Sequence, residues 1–160
     1  MNRLKDILVA TLVSLEALVL VGSVGVYILA PSCFVWLGAR LTQNEPIKYL
    51  ALVPVALLVV MVRSAGDLLF PSSVDFTILQ KWPDYHMVKD RYLISLVITG
   101  ACTLVVISIW ALSLPLSQAL NAFAFVTAIA VALVAYGCFA YATWTVKEIL
   151  SAHVGRKSGG

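Results

Sequence analysis

The chain has 160 residues, 61% of them hydrophobic and 12% charged, with a net charge of +3 and a mean hydropathy of +0.97. A soluble domain carries about 45–50% apolar and about 25% charged residues, so this composition excludes one. It also excludes a disordered chain, which needs low hydrophobicity, and a disulfide-stapled module, which needs more than three cysteines. The expected fold is an all-α integral membrane protein, a bundle of four transmembrane helices forming a single membrane domain over residues 1–160.

Crossing about 30 Å of hydrocarbon takes roughly 20 helical residues, and four segments approach that length. The first runs from Ile7 to Leu29, interrupted only by Glu16. Its apolar stretch exceeds the usual core of a cleaved signal peptide, about 7–15 residues, so it is expected to be retained as a span. A short outer loop from Ala30 to Lys48 follows. The second span is expected from Tyr49 to about Phe70, with a kink at Pro54, which cannot donate to the carbonyl of Leu50. A cytoplasmic loop at 71–92 comes next, with a short helix up to Trp82 and an exposed helix start after Asp84. Leu93 to Leu114 and Ala119 to Val146 are the third and fourth spans, joined by a tight turn at Pro115 and Ser117. A short basic tail closes the chain at 147–160.

Orientation follows from the basic residues, because positively charged connections are retained in the cytoplasm. Arg3, Lys5, Arg63, Lys81, Lys89, Arg91, Lys147, Arg156 and Lys157 fall on one side; Arg40 and Lys48 fall on the other. That imbalance places both termini and the 71–92 loop in the cytoplasm. The single cysteine of the outer loop, Cys33, and the lack of any Asn-x-Ser/Thr sequon point to a bacterial inner membrane.

Glu16 is the sharpest single feature, a carboxylate well inside an apolar segment, where it must face protein or water. At about 100° per residue it shares a stripe of the first helix with Lys5, Ser23 and Tyr27, the inward face. Arg63 and Asp67, one turn apart, form either an interfacial ion pair or a partner for Glu16, with Arg63 reaching across to it. Together Glu16, Ser23, Tyr27, Arg63 and Asp67 make a candidate intramembrane polar site for a proton or cation. The alternative reading is a buried contact that fixes packing.

Phe76, Trp82, Tyr85, Lys89, Arg91 and Tyr92 interleave aromatic and basic side chains on the cytoplasmic side. Such residues anchor protein interfaces, and they also settle at lipid headgroups. Small residues mark close helix approach: Gly22 and Gly25 on the first helix, and Ala124, Ala128 and Ala132 at intervals of four on the last.

Nucleotide-binding, hydrolase and metalloprotease signatures are all missing from the sequence. His86, His153, Cys33, Cys102 and Cys138 match no metal-ligand spacing. No catalytic residue, metal or cofactor is expected, and the positive charges are accounted for by topology rather than by nucleic-acid binding. With its span count and a glutamate in the first helix, Glu16, the chain resembles the small multidrug-resistance exporters, which would imply proton-coupled export. Its length, its loop of about 30 residues and its charge bias depart from that family.

The leading expectation is a non-enzymatic inner-membrane protein that forms homo-oligomers through its small-residue faces. It would act as a scaffold, anchor or sensor and present the cytoplasmic loop to a soluble partner, an organisation known among membrane subunits of bacterial stress and phage-defence pairs. The alternatives are a small transporter or channel built on Glu16, and an assembly factor of a larger membrane complex.

Overall fold

The computed structural model describes residues 15–43, 49–69, 85–112 and 117–157, and within them every residue except Ala30 and Ser117 is helical. The elements are α1 (Leu15–Leu29), α2 (Pro31–Gln43), a 3₁₀ turn (Tyr49–Ala51), α3 (Leu52–Leu69), α4 (Tyr85–Leu112) and α5 (Gln118–Lys157). Met87–Ala111 of α4 and Gln118–Glu148 of α5 are each long and apolar enough to cross a membrane. The bent pair Leu15–Leu29 and Pro31–Leu41 makes a third candidate if it is one span, and Tyr49–Ser64 is a shorter apolar helix. Large apolar side chains face outward along these helices, among them Leu18, Val21, Ile28, Val97, Leu104 and Leu133. Such continuous apolar exposure suits lipid rather than water.

The segment after Leu29, expected as a loop, is a helix. The Ala30 amide donates to the Val26 carbonyl at 2.9 Å, which closes α1, and the Ala30 carbonyl accepts from the Cys33 amide at 3.2 Å, which opens α2. Pro31 takes the first helical position, where its missing N–H costs nothing and its fixed φ suits the helix. The two helices meet at 98°. Phe34, Leu37, Gly38 and Leu41, spaced for one helical face, point inward and are buried or half-buried.

Pro54 does not kink a helix as expected. It is the third residue of α3, in a first turn whose amides have no intrahelical acceptor, so the proline is accommodated there. α5 begins at Ser117, whose hydroxyl accepts the Leu120 amide at 3.3 Å and whose carbonyl accepts the Asn121 amide at 3.0 Å, an N-cap. α5 also runs past the expected end at Val146 to Lys157.

Helix α5 is central, packing against each of the other four helices. Tyr92 meets Phe139 near one end of the α4–α5 pair and Val106 meets Phe125 and Ala128 nearer the other, so the two are antiparallel. Met61 meets Tyr92 and Ala51 meets Val106, so α3 is antiparallel to α4. Between α4 and α5, buried Ser95, Thr99 and Thr103 recur at every fourth residue, and α5 has Ala128, Ala132 and Ala135 in its core. The Thr99 and Thr103 hydroxyls donate to the Ser95 and Thr99 carbonyls at 2.9 and 2.8 Å, so both are satisfied within their own helix.

Candidate functional site

Three helices converge on one charged cluster. Glu16 of α1 is only 4% exposed, and its Oε2 accepts a hydrogen bond from Arg91 Nη2 of α4 at 3.3 Å. The same Nη2 stands 3.8 Å from Cys138 Sγ of α5. Arg91 itself is 34% exposed, so its guanidinium lies between the interior and the surroundings. Arg91 is the fifth residue of the candidate span Met87–Ala111, so the pair lies near one end of that span. A buried carboxylate at that depth needs a cation and hydrogen-bond donors, because desolvation penalises the lone charge by several kcal/mol. Arg91 supplies the cation. The other carboxylate oxygen, Oε1, is buried with no hydrogen-bond partner.

The alternative in which Arg63 reaches across to Glu16 is not what the structure has, since Glu16 pairs with Arg91. Arg63 lies on the exposed face of α3. The reason is helix order: α1 packs chiefly on α5, whereas α3 packs on α4 and α5, so α4 rather than α3 brings a cation to Glu16. Asp67 belongs to α3, but its side chain, and with it the Arg63–Asp67 pairing, lies outside the described residues.

Ser23 and Tyr27 do lie on the same inward side of α1 as Glu16, yet neither joins its charge cluster. The Ser23 hydroxyl donates to the Val19 carbonyl at 2.8 Å. Tyr27 stacks against Phe123 of α5 at 4.7 Å and Phe34 of α2 at 5.5 Å, an aromatic cluster at the far end of α1.

The aromatic residues assigned to a partner or lipid surface divide. Tyr85 and Tyr92 are buried, a correction to their expected exposure. The Tyr92 hydroxyl donates to the Met61 carbonyl at 2.8 Å and its ring packs on Phe139 at 4.8 Å. Tyr85 joins the same core with Met61, Phe139 and Val146, and burial pushes its phenol above the ordinary tyrosine value, so it stays neutral. The first turns of α4 are therefore exposed on one side only: Met87 is 73% exposed, while Tyr85 and Tyr92 meet an apolar wall that α3 and α5 supply. Arg91 is drawn to Glu16, and Lys89 is half-buried. Phe76 and Trp82 lie outside the described residues.

The small residues also divide. Ala128 and Ala132 are in the core and Ala124 is half-buried, whereas a Cβ added at Gly22 or Gly25 would meet nothing within 4 Å of either. Among the described residues, the glycine at which helices touch is Gly38, where an added Cβ would run into the backbone carbonyl of Gln118 at the start of α5. Its signal was its place in the Phe34, Leu37, Gly38, Leu41 spacing.

Among the described residues no group of three or more His, Cys, Asp or Glu side chains is placed to hold a metal ion, and the three cysteines are free thiols. The arrangement ties helices together through one buried ion pair. No family model, curated protein or solved structure matches the chain.

Proposed function

We propose that this chain is a non-enzymatic membrane scaffold with four spans and cytoplasmic termini, which presents the basic and aromatic segment between α3 and α4 to a soluble partner. The observation that supports it is the Glu16–Arg91 pair. An arginine-paired carboxylate is committed to holding α4 against α1, at the level where the chain enters α4 from that segment. The Tyr92–Met61 hydrogen bond does the same between α4 and α3. Both helices that flank the 70–84 segment are thus held to their neighbours. Self-association through α1, whose Gly22 and Gly25 are open on its outer face, fits the use of small residues in membrane helix contacts. The basic residues counted by side support cytoplasmic termini with the segment inside the cell, and the single outer-loop cysteine with no sequon supports a bacterial inner membrane.

The test is purification in mild detergent of the parent chain and a Phe76→Ala, Trp82→Ala variant. The proposal expects a soluble protein that accompanies the parent and is lost from the variant, while size and helicity are unchanged. Equal recovery from both, or none from either, removes the partner-docking reading.

A second reading is favoured by one observation, the buried Oε1 of Glu16 that has no donor. Such an atom is unusual in a folded protein and suits a site that accepts a proton or cation during transport. It predicts flux across a vesicle membrane that Glu16→Gln abolishes.

A further inference from the structure

Helix α2 leaves α1 at 98°, so where α1 follows the membrane normal α2 runs along the membrane plane. It lies across the end of α5: Phe34 packs on Phe123, with ring centroids 5.7 Å apart, and Gly38 abuts the backbone of Gln118, the first residue of that helix. Trp110, 59% exposed at the last turn of the α4 span, lies at this end of the molecule. Tryptophan concentrates at the boundary between acyl chains and headgroups. Trp36 of α2 is 62% exposed at the same end of the molecule.

On this outward face the Arg40 guanidinium lies over the Trp36 ring, 5.3 Å from its centroid. Arg40 is exposed, and no carboxylate among the described residues pairs with it. Phe34, Leu37, Gly38 and Leu41 face the other helices, whereas Val35, Trp36 and Arg40 are exposed along the roughly 20 Å of α2.

We propose that Trp36 and Arg40 form a binding site for the phosphate of an anionic phospholipid headgroup. The ring and the guanidinium stand together on the exposed face of α2, and the ring holds the guanidinium in place. The guanidinium then offers paired N–H donors to the phosphate oxygens, a geometry that arginine matches. An anionic headgroup is preferred because a zwitterionic one carries its own cation to compete for the phosphate. With the termini inside the cell, the site belongs to the outer leaflet. The site rests on the membrane placement and its leaflet on the proposed orientation of the termini; neither depends on whether the 70–84 segment binds a partner.

The test uses the full chain with Trp82, Trp110 and Trp144 each changed to Phe, reconstituted in vesicles of phosphatidylcholine and phosphatidylglycerol in which one lipid at a time is brominated. The expected result is stronger quenching of Trp36 by brominated phosphatidylglycerol than by an equal fraction of brominated phosphatidylcholine, and more by bromines near the headgroup than near the chain end. The local enrichment should approach roughly fivefold, the equivalent of about 1 kcal/mol for one basic side chain near an anionic surface. Arg40→Gln should remove the preference while leaving the quenching itself. Equal quenching by both lipids overturns the proposal, as does dominant quenching by deep bromines, which makes α2 re-entrant, or none by either, which puts a protein on this face. Because three tryptophan changes can impair folding, native mass spectrometry of the otherwise unaltered chain and its Arg40→Gln variant provides a second reading. Retained phosphatidylglycerol should fall in the variant, and equal retention overturns the proposal.

Discussion

Arg91 on α4 holds Glu16 on α1 at 3.3 Å, although 75 residues separate them in the chain and Arg63 stands on the helix between. The relationship is unequal. Glu16 is enclosed, whereas a third of Arg91 faces outward, at the edge of the span. Each partner therefore responds differently to loss of the other.

Replacing Arg91 by Gln leaves a buried carboxylate without its cation, and breaking a buried pair in this way costs about 3–5 kcal/mol. Replacing Glu16 by Gln leaves an arginine that can extend toward headgroups, so the cost is smaller. The expected order of stability in detergent is parent, then Glu16→Gln, then Arg91→Gln, with the double variant recovering most of the Arg91→Gln loss. Thermal unfolding followed by circular dichroism reads this order, and a double variant whose loss equals the sum of the two single losses would show that the pair is not a coupled unit.

Gly38 and the pair Gly22 and Gly25 provide a contrast within one residue type. A methyl group at Gly38 meets the Gln118 backbone, which has no flexible end to move aside, so Gly38→Ala should destabilise the α2–α5 contact by about 1–3 kcal/mol. Gly22→Ala and Gly25→Ala meet open space and should leave the monomer as stable as the parent. If α1 mediates self-association, the bulkier Gly22→Leu and Gly25→Leu shift the oligomer toward monomer on a sizing column at unchanged helicity. An unchanged oligomer in both would remove α1 from the self-association face.

Much of the architecture can be read from apolar length alone. The helices α4 and α5 contain the long uncharged stretches and α3 a shorter one that ends at Arg63, and Glu16 is buried on α1, where Ser23 and Tyr27 are half-buried. The identity of its cation was not legible, since Arg63 and Arg91 are both near the same edge and only helix order separates them. Tyr85 and Tyr92 show the same limit: aromatic residues beside a charged loop look like a surface until the neighbouring α3 and α5 close over them. Helix α2 carried its signal in the spacing of Phe34, Leu37, Gly38 and Leu41. Its shortness and the nearby Arg40 made it resemble a connection.

Orientation is open to a test with a native residue. Cys33 on α2 is exposed, whereas Cys102 and Cys138 are half-buried within the α4 and α5 spans. With the termini inside the cell, a membrane-impermeant maleimide added to intact cells should label the parent chain and not Cys33→Ser. Labelling of Cys33 only after the membrane is opened would reverse the proposed topology.

The most direct measurement of the central claim, that Glu16 is committed to holding α4 rather than to moving ions, is proton flux in vesicles carrying an enclosed pH-sensitive dye. The parent chain, Glu16→Gln and Arg91→Gln are compared under an imposed pH gradient. The account predicts no flux above that of empty vesicles for the parent and for Glu16→Gln. Flux through the parent that disappears in a folded Glu16→Gln variant would contradict it and establish the carboxylate as a transport site.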